Sequence, residues 1–193
     1  MSGDSAAVIL RIFGESASAH QRFTASGVDA VASAADAISR ATAAGGKLLA
    51  FGNGGSASDA QHLVAELVGR FERERRAVAA VALTPDSNVV TAIANDYSYD
   101  VVFTRQIEAL GREGDVAFGI STSGRSRNVE LGLAAAKSRG LVTIALTGRD
   151  GGAMGAAADI HINVPVESTA RIQEVHRTIM HAMCSIIEAC IPA

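Results

Sequence analysis

Tryptophan is absent from this chain, proline occurs only three times, and cysteine and tyrosine occur twice each in 193 residues. So few prolines and cysteines argue against a proline-rich linker protein and against a small fold stapled by disulfides. Cys184 and Cys190 stand six positions apart in one predicted helix, where their side chains point to different faces, so a bond between them is geometrically poor. Buried, reduced thiols are the expectation. Positive charge is scarce as well: a net charge of −3 and a pI near 5.9 leave no broad basic surface for nucleic acid. Arg70, Arg73, Arg75 and Arg76 do cluster, but Glu72 and Glu74 interleave them, and the segment reads as a solvated loop or a subunit edge. No apolar run approaches the roughly 18 residues of a membrane span. The N-terminal stretch MSGDSAAVILRIFGES lacks the basic segment and long apolar core of a secretory signal. A cytoplasmic protein that neither enters a membrane nor binds nucleic acid is expected.

What is present is apolar and small-residue rich: 48% of the chain is hydrophobic, with frequent Ala and Gly, a composition suited to helices packed closely on a sheet. The length fits a single domain, 1–193, built of N-terminal helices (1–44) and an α/β core with a C-terminal helix (45–193). Val8, Ile9, Ile12 and Phe13, then Val28, Val31, Ala35 and Ile38, recur at helical intervals, predicting two helices over 5–44 broken near Ser26-Gly27. Short apolar runs follow at 47–52, 77–83, 115–121, 141–146 and 159–165, each the length of a buried strand. Helical patterns fill most gaps, at 56–69, 87–94, 100–110, 125–139 and 168–190. Strands alternating with helices imply parallel pairing with right-handed crossovers. The predicted fold class is therefore α/β: a three-layer αβα sandwich on a parallel five-stranded sheet of flavodoxin type, with added N-terminal helices.

Ligands collect beyond the carboxyl ends of strands in such sheets, and three of the predicted strands end there in GNGGS (52–56), STSGRS (121–126) and TGRDGG (147–152). STSGRS brings hydroxyls and free N–H groups to a helix N-terminus, which suits an anion such as phosphate; plain helix capping is the competing reading. GNGGS lacks the Lys of a Walker loop and the spacing of a dinucleotide fingerprint. Its Gly54 and Gly55 allow close backbone approach to a small polar ligand, which Asn53 can hydrogen-bond from either side. Just beyond, His62 and Glu66 fall four apart on one helical face, and the last helix carries Gln173, His176 and His181. Two imidazoles and a carboxylate make a donor field suited to Zn²⁺, with an amide oxygen as the weaker member. The spacing does not say that the two helices meet, and an ordinary surface His–Glu pair has the same pattern. A glutamate beside a carbonyl and a histidine that returns a proton would serve an aldose–ketose isomerisation through an enediol. A phosphorylated sugar would need both chemistries.

The collinear motifs GNGGSASDAQH, AVALTPDS, AIANDYSYD, GDVAFGISTSGRSRNV, LTGRDGG and RIQEVH resemble the SIS (sugar isomerase) domain family, from about residue 45 to the last helix. The resemblance implies conversion of sedoheptulose 7-phosphate to D-glycero-D-manno-heptose 7-phosphate, the first step toward nucleotide-activated heptose for lipopolysaccharide core or other surface glycans. It implies one Zn²⁺ per subunit held by His62, Glu66, Gln173 and His181, with Glu66 as base and His181 as acid. Substrate contacts are implied for Asn53, Gly54, Gly55, Asn95, Asp96, Ser121, Thr122, Ser123 and Ser126, and for Glu66 and Gln173. A carboxylate bound to a cation is a poorer base, so either Glu66 shifts during turnover or the ion is partly structural. The family also implies a homotetramer with sites at subunit interfaces.

Two rival functions sit on the same fold. One is a non-catalytic relative that binds the bacterial replication initiator; such proteins lack the acidic and final histidine positions that Glu66 and His181 fill here. The other is an isomerase of a different phosphosugar. His176 reads as a supporting or buried histidine, and Asp59 and Gln61 as residues that cap or orient the GNGGS turn. Ala170 stands where some members carry an acidic side chain.

Overall fold

The structure, a computed structural model, describes residues 3–191, so residues 1, 2, 192 and 193 of the expected 1–193 unit lie outside it. Five strands form one fully parallel sheet: β1 (Leu48–Gly52), β2 (Ala80–Ala82), β3 (Val116–Ser121), β4 (Val142–Gly148) and β5 (Ile160–Val164), in the order β2-β1-β3-β4-β5. This is the expected flavodoxin-like sheet. The helices are α1 (Gly3–Thr24), α2 (Val28–Ala43), α3 (Gly55–Val68), α4 (Ser87–Asp96), α5 (Val102–Leu110), α6 (Arg127–Ser138), α7 (Gly152–Ala157) and α8 (Thr169–Ala189).

Side chains along each strand alternate between two apolar layers, as the period of an extended chain requires. Leu48, Ala50, Val116, Phe118 and Ile120 face α1, α2, α3 and α8, while Leu49, Phe51 and Ala117 face α5, α6 and α7. β1 and β3 are buried on both faces, which explains their uninterrupted apolar sequences. A fully buried Leu or Phe contributes roughly 1.5–3 kcal/mol, so these central strands form the most stable part of the sheet and give its loops a rigid base. The break between α1 and α2 falls at Gly27 because the chain turns against Phe23: a Cβ there would lie 2.2 Å from the Phe23 ring.

Four expectations need correction. β2 is three residues long and half-exposed rather than a buried 77–83 strand, because it is an edge strand and Val78 N–H donates to Leu67 O of α3 at 3.0 Å instead of entering the sheet. The six-residue α7 stands in a gap for which no helix is expected; its Gly and Ala content carries no apolar period to detect. Cys184 is buried, and burial, helped by the nearby Glu66 charge, pushes its thiol up to about 12, but Cys190 is exposed at the end of α8. Arg75 is not solvated: only 1% of its side chain is exposed, beside Glu188 at 4%.

Candidate active site

The strand order reverses between β1 and β3, since β1 connects to β2 on its other side. That reversal opens a crevice at the carboxyl edge of the sheet. β1 runs into Asn53-Gly54-Gly55 and β3 into residues 121–126, so two of the expected ligand loops become neighbours. Gly54 has φ +54°, a conformation that side chains disfavour. Gly55 is required for a different reason: a Cβ there would fall 2.2 Å from Gln173 Nε2, so α8 lies directly on the turn.

In the second loop Ser121 Oγ lies 2.9 Å from Ser126 Oγ and 3.3 Å from Ser123 Oγ. Ser126 stands at the N-cap of α6 but makes no side-chain cap bond. Its hydroxyl joins the serine cluster, leaving the first turn of the helix with donors for an anion. Thr122 is half-buried between these serines. A reciprocal amide pair ties the two loops together. Asn53 Nδ2 donates to Asn128 Oδ1 at 2.8 Å, and Asn128 Nδ2 donates back to Asn53 Oδ1 at 2.9 Å. Tyr99 OH also donates to Asn53 Oδ1 at 2.9 Å. Neither Asn128 nor Tyr99 was among the expected site residues; the available signal was a buried-position Asn opening the apolar pattern of α6. Gly52, Asn53, Gly54, Thr84 and Tyr99 line a cleft of about 100 Å³. Asn95 and Asp96, at the exposed end of α4, hydrogen-bond to each other at 3.0 Å rather than to either loop.

The second half of the site is a seam between α3 and α8. Both helices follow strands of one parallel sheet, so both run back against it and are parallel to each other. Their register is regular: Gly55 meets Gln173, Asp59 meets Arg177, His62 meets His181, and Glu66 approaches Cys184. The two helices expected to carry the chemistry therefore do meet. His62 Nε2 and His181 Nε2 are 2.9 Å apart, one donating and one accepting, and Glu66 Oε1 lies 3.5 Å from His62 Nε2. Burial and the Arg177 charge hold His62 below the usual imidazole range, with Glu66 opposing them. A neutral ring keeps a lone pair to share.

No group of three or more His, Cys, Asp or Glu side chains among the described residues is arranged as a metal site. Tetrahedral ligands of Zn²⁺ stand about 3.3 Å apart. The His62–Glu66 separation agrees with that figure, while the two imidazoles are closer because they hydrogen-bond to each other. The donors fit the ion in kind. Gln173, two turns before His181, packs its amide on Gly55.

Asp59 does not cap the turn. It is buried and bonds Arg177 Nη2 at 2.7 Å across the seam; burial raises its carboxyl, with Arg177 opposing. Gln61 Nε2 donates to Thr84 Oγ1 at 3.1 Å. His176 is a core histidine: Nε2–H donates to Thr147 O at 2.9 Å, and burial lowers its pKa to about 4. Below the trio, Glu188 accepts from the N–H groups of Phe71, Glu72 and Arg73 at 3.0, 3.0 and 3.2 Å. Burial raises its carboxyl, but these donors and the Arg75 charge outweigh it and hold the group below the usual range.

Such a sheet, with serine and glycine loops at its reversal point, defines a class, and the sequence agrees: residues 11–148 match the SIS domain family, to which the chain belongs. The likeness is narrower than the class. A phosphoheptose isomerase of Geobacter sulfurreducens is 54% identical over 158 residues, covering 82% of this chain and 84% of that protein. Phosphoheptose isomerase structures from Neisseria gonorrhoeae and Francisella tularensis superpose with TM-scores of 0.90 and 0.92 at 47% and 38% identity. They cover 94% and 96% of this chain, and 97% and 98% of theirs. Within the SIS domains, this chain is a member of the phosphoheptose isomerase family.

Proposed function

We propose that the chain is a single-domain aldose–ketose isomerase that converts sedoheptulose 7-phosphate to D-glycero-D-manno-heptose 7-phosphate. That reaction opens the route to nucleotide-activated heptose for lipopolysaccharide core or other surface glycans. The observation that carries the reading is the meeting of His62, Glu66 and His181 on the α3–α8 seam, behind a helix turn linked to a serine anion loop. His62 lies seven residues beyond Gly55, a rise of about 10 Å along α3. Side chains on a helix lean toward its N-terminus, so the trio lies within reach of a seven-carbon chain whose phosphate rests among Ser121, Thr122, Ser123 and Ser126.

Asn53, Gly54, Gly55, Asn95, Asp96 and Gln173 hold the sugar hydroxyls in this reading. Glu66 removes a proton from C1, the C–H electrons form the C1–C2 double bond, and the carbonyl oxygen on C2 takes a proton from His181. Return of the proton from Glu66 to C2, with loss of the O1 proton to His181, leaves the aldehyde. His62, Glu66, Gln173 and His181 would hold one Zn²⁺ per subunit. When bound, the ion supplies positive charge that polarises the carbonyl and stabilises the developing oxyanion.

The chain works as a homotetramer in this reading, which Leu10 and Phe13 support: they stand 74% and 72% exposed on α1, and apolar surface of that kind is typical of subunit contacts. No described helix is long and apolar enough to cross a membrane. We assign the cytoplasm, where a charged sugar phosphate is made and retained. The test is turnover of sedoheptulose 7-phosphate by metal-analysed protein, with Glu66→Gln in parallel. Product from the wild type alone supports the reading; no product from folded, zinc-loaded wild type refutes it.

A further inference from the structure

Residues 69–79 join α3 to β2 without regular structure, yet the eight residues 69–76 are tied to the interior by many hydrogen bonds. At their centre is the buried pair Arg75–Glu188. Arg75 Nε stands 3.2 Å from Glu188 Oε1, an ionic contact without good hydrogen-bond alignment. The remaining donors of Arg75 close the open end of α3: Nη1 reaches Leu67 O and Gly69 O at 2.9 Å each and Arg76 O at 3.1 Å, and Nη2 reaches Glu66 O at 2.6 Å. Arg73 Nη2 donates to Ile191 O at 2.8 Å and to Glu188 O. With the three N–H groups received by Glu188, the segment is stitched to the last turns of both α3 and α8.

The consequence lies at Phe71. Its N–H is one of the three held by Glu188, and its ring is delivered to the face of His181, with centroids 5.4 Å apart at an interplanar angle of 33°. His181 also meets the His62 ring, with centroids 5.1 Å apart and the two Nε2 atoms in hydrogen-bond contact. The His181 imidazole is therefore in contact with two rings, one of them placed by a segment that contains none of the proposed site residues. Arg75 reaches the same site by a second route, through the carbonyl of Glu66.

We infer that the Arg75–Glu188 pair is a buckle that sets the 69–76 segment so that Phe71 fixes the orientation of His181, making Phe71 a positioning residue for proton transfer. The inference rests on the isomerase reading for its kinetic consequence and on geometry alone for the ring contact. A ring that holds a catalytic side chain in one orientation affects the rate more than it affects substrate affinity. Supporting contacts of this sort are worth about 10- to 100-fold in metal affinity or activity.

The experiment compares Phe71→Leu, Phe71→Tyr and Glu188→Gln in the full chain. Phe71→Leu lowers kcat about tenfold or more with KM within twofold and Tm nearly unchanged, and Phe71→Tyr, which keeps the ring, restores most of the rate. Glu188→Gln lowers both kcat and Tm. Wild-type kcat in Phe71→Leu overturns the inference, as does a loss that Phe71→Tyr fails to restore. The His181 ring resonances supply a readout independent of turnover: Phe71→Leu shifts them and Phe71→Tyr does not. If the wild type shows no turnover, the isomerase reading fails, and the resonances alone decide the positioning role. Resonances unmoved by Phe71→Leu overturn it.

Discussion

The serine loop and the α3–α8 seam were assembled in opposite ways. Ser121, Ser123 and Ser126 bond to one another across two to five positions of chain, whereas His62 meets His181 across 119 and Asp59 meets Arg177 across 118. A local cluster needs only the strand end and helix start beneath it. The seam needs the whole sheet to be built before α8 is delivered beside α3. On the proposed reading the two regions therefore differ in what a substitution does: a change in the loop alters ligand affinity with little effect on stability, while a change in the seam alters chemistry at one position and stability at another.

The largest expected effect tests the seam at its chemical centre. Glu66→Gln and His181→Gln each reduce kcat by about 10³-fold, the usual scale for losing a general acid or base, with the circular dichroism spectrum retained. A variant with near-normal turnover breaks the assigned pair. Next comes the structural side of the same region: Arg177→Met leaves buried Asp59 without its partner. Losing one member of a buried pair costs 3–5 kcal/mol, less here because 37% of the Arg177 side chain is exposed, so about 2–3 kcal/mol is expected by urea unfolding. A loss confined to KM would place the pair in substrate binding instead.

His176 gives a smaller effect that titrates. Its pKa is about 4 in the folded chain and 6.5 unfolded, so the unfolded state binds the proton better. Stability is full above pH 6.5 and falls as pH drops toward 4, by about 2 kcal/mol between pH 7 and 5. Unfolding curves across that range should be flatter in His176→Gln. The smallest effect belongs to the loop: Ser126→Ala removes one hydroxyl donor and raises KM about tenfold, the worth of one hydrogen bond to a charged group, while Tm stays within a degree or two. A large fall in Tm would erase the distinction between the two regions.

How much of this was legible depended on whether the signal was local. Apolar runs at 47–52 and 115–121 located β1 and β3 within a residue, because strands buried on both faces must be continuously apolar. β2 was overextended because an edge strand carries the same residues but lacks a second neighbour, and α7 was missed because Gly and Ala carry no period. The serine and glycine loops were visible as punctuation at strand ends. Asn128 and Tyr99 were not, since their roles exist only after β1 and β3 become neighbours. Arg75 looked like part of a surface charge run, because alternating charges read the same whether solvent or Glu188 answers them.

The sequence by itself determined the alternation of strand and helix, hence the parallel sheet, since residue spacing controls which faces bury apolar surface. It also determined which residue types stand at the strand ends and on α3 and α8. Only the tertiary structure decided that His62 and His181 share one contact, that Asp59 answers Arg177 rather than the turn, and that Glu188 gathers the 69–76 segment against His181. The reason is physical: contacts between residues more than a hundred positions apart follow from sheet order and helix register, and neither is written in any short stretch of chain.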